Sequence, residues 1–316
     1  MPFDKTQLYD FYNSELRHAL LTQERLRKRS RGVFLGVAAA LVVLNIVFGI
    51  LLIGSSRGVD LLMNVLLAIG FTAAQVWGVY EFSSRTFRQA FKTNVVKKLV
   101  AFVSPDLRYA PHSYVPQSKF VANRLFGAFD RYRGEDHIYG QLDGLEFDVS
   151  ELTVQKRQRN GKRSSTKTIF KGLFFVMALP EPIPTTTLIY PRLAMPLKLF
   201  SQYKRARLED PVFERAFNVY TNDQVGARRQ LTPEVMENIM NLKALTKQTP
   251  YLSFDVSRLY IAVPSQRNHL EPSLFKSVLA PSTVRAFLAE LEMLFSLPRT
   301  LQLDANTRIQ ASTTTY

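Results

Sequence analysis

The residues "HIYGQLDGLEFDV", His137–Val149, carry a two-residue period on either side of an Asp-Gly pair. Ile138, Gly140 and Leu142 alternate with polar residues before Asp143-Gly144, and Leu145, Phe147 and Val149 alternate after it. A period of two sends successive side chains to opposite faces of a strand, and an Asp-Gly pair tolerates the positive φ angles of a type I′ turn. The stretch reads as a β-hairpin.

The same signal recurs downstream. "ELTVQKRQR" (151–159) and "KRSSTKTIF" (162–170) flank Asn160-Gly161, so a second hairpin carries Lys156, Arg157, Arg159, Lys162, Arg163 and Lys167 around its tip, with no acid among them. Further strands are expected at "LFFVMAL" (173–179), "TLIY" (187–190) and "FNVY" (217–220), and "YLSFDVSRLYIAV" (251–263) reads as another hairpin. Two amphipathic helices are expected among them. In "LTPEVMENIMNLKALTK" (231–247) Thr232 is an N-cap and Pro233 suits the first helical position, while the last helix follows Ser282 and aligns Val284, Phe287, Leu288, Leu291, Leu294 and Phe295. Hairpins in series with a closing helix make an α+β domain: a bent sheet or small barrel plugged by that helix, of which a pleckstrin-homology-like arrangement is one form.

Upstream the pattern is of another kind. Between Arg31 and Arg57 run 25 uncharged residues, and "LLMNVLLAIGFTAAQVWGVY" (61–80) supplies twenty more. Each is long enough to cross a bilayer core as a helix, which takes roughly 20 apolar residues. The link between them is too short for a domain. Basic residues crowd both outer flanks, as "RLRKRSR" (25–31) and as Arg85, Arg88, Lys92, Lys97 and Lys98, which by the positive-inside rule puts both termini in the cytoplasm. Asn45, Asn64, Thr72 and Gln75 lie within the spans. None ionises, so they are expected to bond between helices, with Asn45 at the depth of Gly70 and Thr72, and Gly32, Gly36 and Ala40 forming a close-packing stripe. Leu8, Tyr9, Tyr12, Leu16 and Leu20 make a helical stripe before the first span, and Phe87, Phe91, Val95, Leu99 and Phe102 continue the second helix until Pro105 stops it. The expected layout is a cytoplasmic amphipathic basic helix at 1–31, a transmembrane hairpin at 32–81 (spans about 33–54 and 61–80), a basic juxtamembrane helix and linker at 82–127, and a cytoplasmic α+β domain at 128–310.

The formal charge is +15, and the excess is local: residues 1–31 hold seven bases against four acids, 82–127 eight against one, and 151–172 seven against one. A basic surface on the cytoplasmic side of a membrane attracts anionic lipid or an acidic protein. Nucleic acid is the less fitting polyanion, because the basic hairpin has no aromatic residue on which bases would stack.

Little chemistry is legible. With no cysteine there is no disulfide and no thiolate. No G-x-S-x-G, H-E-x-x-H, G-x-G-x-x-G or phosphate-loop motif occurs, and no cofactor is implied. An acidic island of Asp130, Glu135, Asp136, Asp143, Glu146 and Asp148 encloses His137. Glu135, Asp136 and His137 are the weak candidates for a metal or a catalytic site, although strand alternation sends Asp136 to the face opposite Glu135 and His137. Pairing of these acids with Arg131, Arg133 or the basic hairpin is the expected use. The S-x-x-K of Ser164 and Lys167 lies on an exposed strand.

Two segments carry a resemblance. "GEDHIYG" (134–140, with Gly134, Glu135, Asp136 and Gly140) and "FERAFNVYTNDQVGARRQLTP" (213–233, with Phe213, Phe217, Val219, Tyr220, Ala227, Arg228, Leu231, Thr232 and Pro233), together with the two spans, resemble an uncharacterised bacterial membrane-protein family, domain of unknown function thirty-one thirty-seven. The resemblance implies two N-terminal spans, a cytosolic domain and a bacterial inner membrane, and brings no activity with it. The function expected is a non-enzymatic interaction or regulatory module at the membrane face. One alternative is a sensor of anionic lipid or a phosphate ligand through 156–167, and another is a membrane-associated enzyme using 135–137.

Overall fold

The computed structural model describes residues 9–53, 59–161, 163–194 and 202–301. They fall into two compact units, a helical one of residues 9–98 and 271–287, and a sheet-based one of residues 99–270 and 288–301.

In the helical unit α1 (Arg17–Ile53) follows a π-helical turn at Tyr12–Leu16, and α2 (Val59–Phe91) leads through a second π turn at Lys92–Val96 into α3 (Lys97–Val103). Both long helices are long and apolar enough to cross a membrane. Their apolar side chains point outward: Leu44, Phe48, Ile50 and Leu51 of α1 and Leu62, Leu67, Ile69 and Phe71 of α2 are each more than half exposed. A soluble protein buries such residues; helices that face hydrocarbon do not need to.

The seam between the helices is not the expected glycine stripe. A Cβ placed on Gly32 or Gly36 would meet nothing within 4 Å, and Ala40 is exposed. Phe34 and Ala38 are buried instead, with Leu41, Asn45 and Gly49 half-buried along the same face. Asn45 does bond between helices, but its Nδ2 donates to Gln75 Oε1 at 2.6 Å, while Thr72 Oγ1 turns back to Ala68 O of its own helix. Of the N-terminal stripe, Leu16 and Leu20 are buried, Tyr9 is exposed, and Leu8 lies outside the described residues.

Some flanking bases do not face water or lipid. Arg27 is buried and forks onto the buried carboxylate of Glu24, with Nε and Nη2 at 2.9 and 2.6 Å from its oxygens. The remaining bonds of this pair go to the segment 271–287: Arg27 Nη1 donates to Leu274 O at 2.9 Å and Val278 N donates to Glu24 Oε2 at 3.1 Å. Glu271 of that segment is gripped by Arg88 at 3.1 Å and by the buried Lys92 at 3.5 Å, and Phe275 stacks on Tyr80 and meets Phe34 edge-on. Residues read as a positive-inside flank are thus partly consumed by an internal clasp, because a buried charge is tolerated only when paired.

Among the described residues the sheet-based unit holds one antiparallel sheet of nine strands in the order β1-β2-β3-β4-β9-β8-β5-β7-β6, which is open and not a closed barrel. The strands are β1 (Leu107–Ala110), β2 (Arg131–Leu142), β3 (Leu145–Asn160), β4 (Arg163–Ala178), β5 (Thr187–Pro191), β6 (Lys204–Ala206), β7 (Phe217–Thr221), β8 (Tyr251–Asp255) and β9 (Arg258–Pro264). The opening hairpin forms as its alternation predicts: Leu142 pairs with Leu145, and Asp143 and Gly144 adopt φ of 50° and 80°. The remaining helices of the described residues are α4 (Gln117–Ala122), α5 (Pro211–Ala216), α6 (Gln224–Gln230), α7 (Pro233–Thr246) and α8 (Pro281–Thr300). One core gathers Val115, Phe120, Leu152, Val154, Phe170, Phe174 and Tyr260, with Phe120 of α4 packing 5.0 Å from Phe174. The closing helix is where the sequence places it; Leu291, Leu294 and Phe295 are buried, and Phe295 meets Phe147 of β3.

Candidate functional site

The basic hairpin leaves the sheet as a free two-stranded ribbon. β2 last pairs with β3 at Arg131 opposite Gln155, and β9 last pairs with β4 at Pro264 opposite Gly172, so beyond these points the strand that β3 pairs with is β4 alone among the described residues. A β-bulge between Val154 and Gln155 marks the departure and sharpens the local twist. Past it every described side chain is exposed, from Lys156 to Arg159 and from Ser164 to Thr168. Asn160 pairs with Arg163, so the turn starts at Gly161 (φ 62°), one residue later than the Asn-Gly pair suggests. Lys162 lies outside the described residues.

Register fixes which charges share a face. Lys156 stands opposite Lys167, Arg157 opposite Thr166 and Arg159 opposite Ser164. Alternation then puts Arg157, Arg159, Ser164 and Thr166 on one face and Lys156 and Lys167 on the other. Arg157 Nε donates to Ser164 Oγ at 2.7 Å, and the Arg157 backbone N–H donates to Asp130 Oδ2 at 2.6 Å. Ser164 and Lys167, three residues apart on β4, sit on opposite faces and do not form a catalytic pair.

The acidic candidates sit where alternation fails. Glu135 pairs with Glu151 and Ile138 with Val149, so Asp136 and His137 together oppose the single residue Ser150 in a bulge, with Asp136 at φ 60°. The bulge buries both, contrary to the expected alternation, and gives them separate partners: Asp136 Oδ1 accepts from Tyr109 Oη, and His137 Nε2 bonds Asp148 Oδ1 at 2.9 Å. Burial works against charge on Asp148, but the bonds from His137 and Lys119 outweigh it and hold its carboxyl below the usual range. Glu146 is shared by Lys119 at 2.8 Å and Arg258 at 3.5 Å. One acid of the island meets the basic hairpin through its backbone, Asp130 Oδ2 accepting from the Arg157 N–H. Among the described residues no group of three or more His, Asp or Glu is arranged to hold a metal ion.

A second carboxylate–histidine cluster has no local sequence signal, because its members are far apart in the chain. His269 is buried; its Nδ1 meets Glu290 Oε1 at 2.5 Å, its Nε2 meets Ser265 Oγ at 2.9 Å, and its backbone N–H donates to Glu151 Oε2 at 2.9 Å. Burial pushes the Glu151 carboxyl up to about 7, with Glu135 and Asp136 adding repulsion against the pull of His269. Burial also opposes charge on Glu290, yet the His269 bond prevails and its carboxyl is held low.

The motif residues behave as framework. Phe213 and Phe217 pack ring to ring at 5.0 Å, Leu231 is buried, Pro233 opens α7 behind the Thr232 cap, whose Oγ1 accepts from Val235 N at 3.3 Å, and Arg228 is exposed. A Cβ on Gly134 would lie 2.5 Å from Glu151 O, and on Gly140 (φ 144°) 2.1 Å from Asp106 O, so both positions admit only glycine. A cleft of about 760 Å³ opens beside the motif, lined in part by Pro182, Ile183, Gln230, Thr232 and Phe254.

Comparison with curated proteins returns no match. Among solved structures the chain is similar to the crystal structure of the mycobacterial trehalose monomycolate transport factor A, TtfA, at a TM-score of 0.34 and 11% identity, over 65% of this chain and 93% of that one. The model of one family, described as protein of unknown function (DUF3137), matches residues 168–303, a range that contains the 213–233 motif and leaves 134–140 outside. Over β4 to α8 the chain therefore resembles that uncharacterised family, and it carries this region behind two apolar helices long enough to span a membrane.

Proposed function

We propose that the chain is an integral protein of the bacterial inner membrane with both termini in the cytoplasm, and that its sheet-based unit is a non-enzymatic binding module that engages the anionic membrane surface through the basic ribbon. The observation that carries this reading is the ribbon: a hairpin freed from the sheet, exposed on both faces, basic at six positions and without an acid between Lys156 and Lys167. Core-building strands do not need such an extension. Each Lys or Arg close to an anionic leaflet contributes about 1 kcal/mol. Tethering by the spans raises the effective concentration of the ribbon at the surface, so a modest affinity suffices.

An acidic protein partner is the second reading, favoured by the same exposed charges. Catalysis at Glu135, Asp136 and His137 is less well supported, because the bulge ties Asp136 to Tyr109 and His137 to Asp148. A photo-crosslinker on Ser165→Cys, the sole thiol in this cysteine-free chain, separates the readings in native membranes. Lipid adducts are expected; a single acidic protein in their place moves the assignment to a partner, and absence of both overturns the binding role.

A further inference from the structure

The geometry points to the Arg157–Arg159 face of the ribbon as a phosphomonoester-binding face, with Lys156 and Lys167 behind it supplying only diffuse attraction. The inference rests on the ribbon being the membrane-binding element and adds what it selects.

Three observations carry it. The register gathers two guanidinium groups and two hydroxyls, of Ser164 and Thr166, on one face and leaves the ammonium groups of Lys156 and Lys167 on the other. Residues two apart on a strand are separated by roughly 6.5 Å, within reach of two long side chains converging on one ligand. The Arg157 guanidinium is already oriented, because its Nε is held by Ser164 Oγ at 2.7 Å, diagonally across the ribbon and directly opposite Arg159. Among the described residues neither guanidinium has a carboxylate partner, and the nearby Asp130 carboxylate is engaged by a backbone N–H.

Charge alone does not distinguish one anion from another; donor geometry does. A guanidinium presents paired N–H groups that match two oxygens of one phosphate, whereas an ammonium is a compact point charge. A phosphomonoester has three terminal oxygens and up to two negative charges, enough for two forks and a hydroxyl. A phosphodiester has two terminal oxygens and one charge, and leaves part of the donor set unmatched. The ligand class is a terminal phosphate, on a lipid headgroup or on a soluble ester.

The test uses the full chain in nanodiscs, with an environment-sensitive fluorophore on Ser165→Cys, and compares phosphatidate with phosphatidylglycerol at matched surface charge. Phosphatidate is expected to hold the ribbon to salt concentrations severalfold higher. Arg157→Lys with Arg159→Lys keeps the charge and removes the forks, and is expected to abolish that preference while the phosphatidylglycerol response stays. Lys156→Gln with Lys167→Gln is expected to weaken both responses equally. Displacement by millimolar inorganic phosphate assigns the face to soluble esters, and resistance to it assigns the face to the headgroup; both support the inference. Equal responses to the two lipids, or a preference that survives the Arg→Lys pair, overturn it while leaving general surface binding intact. No response to either lipid relative to neutral nanodiscs overturns the underlying reading as well.

Discussion

Lys156 and Lys167 stand directly opposite each other on the ribbon, two like charges in one cross-strand pair. Such a pair destabilises a sheet, and replacing one member by an opposite charge is worth about 0.2–1 kcal/mol. Lys167→Glu is therefore expected to raise the melting temperature of the detergent-solubilised chain slightly while weakening its binding to anionic bilayers. A variant that is more stable and binds equally well would show that the pair is not kept for a surface.

The Asn45–Gln75 side-chain bond joins the two apolar helices within their uncharged stretches. Interhelical bonds of this kind contribute about 0.6–2 kcal/mol. Asn45→Leu and Gln75→Leu are expected to lower stability in detergent by that order, and the double variant by little more than either alone. Additive losses in thermal melts would place the two side chains in separate environments.

Within the helical unit, Glu24 and Arg27 form a buried pair whose remaining bonds hold Leu274 and Val278. Removing one partner of a buried pair leaves an uncompensated charge and costs about 3–5 kcal/mol. Glu24→Gln is expected to approach that cost and to speed hydrogen exchange at the Val278 amide. The Arg27 bond holds the Glu24 carboxyl below its ordinary value, so its contribution to stability is present above the unfolded carboxylate range and fades as pH falls through the native one. Exchange at Val278 that stays unchanged in the variant would show that the pair does not hold the segment.

Glu151 behaves oppositely. Burial raises its carboxyl to about 7, so between the unfolded carboxylate range and that value the native state binds more protons than the unfolded one, and stability falls as pH rises through the window. Glu151→Gln is expected to flatten this part of the profile and to raise the melting temperature at pH 8 relative to wild type, since the amide oxygen still accepts from His269 N. A pH profile identical to wild type would remove Glu151 from the account.

Much of this architecture was legible because it rests on local patterns. Two uncharged runs gave the apolar helices, period-two alternation and turn residues gave the three hairpins, and Thr232-Pro233 gave the start of α7. What escaped depends on partners distant in sequence. Gly32, Gly36 and Ala40 had the right spacing for a helix seam, but the side that packs is chosen by the second helix, which selects Phe34, Ala38 and Asn45. At Asp136 and His137 one extra residue in β2 broke the alternation and buried both. The acid nearest His269 in the chain is Glu271, which pairs with Arg88 and Lys92 instead, while folding brings Glu151 and Glu290 to His269 from either side in sequence. The charge of the ribbon was plain from "KRQRNGKRSSTK" (156–167); its departure from β2 and β9, and the separation of Arg157 and Arg159 from Lys156 and Lys167 onto two faces, required the register.

Charge reversal on the ribbon distinguishes binding to an anionic membrane surface from solvated charge. With the full chain in nanodiscs and a headgroup-linked quencher, fluorescence from a label on Ser165→Cys is expected to be quenched in anionic discs, released by high salt, and unquenched in neutral discs. Arg157→Glu, Arg159→Glu and Lys167→Glu combined are expected to abolish quenching without unfolding the chain, as far-ultraviolet circular dichroism would confirm. Equal quenching in neutral and anionic discs, or quenching that survives the triple reversal, would contradict the account.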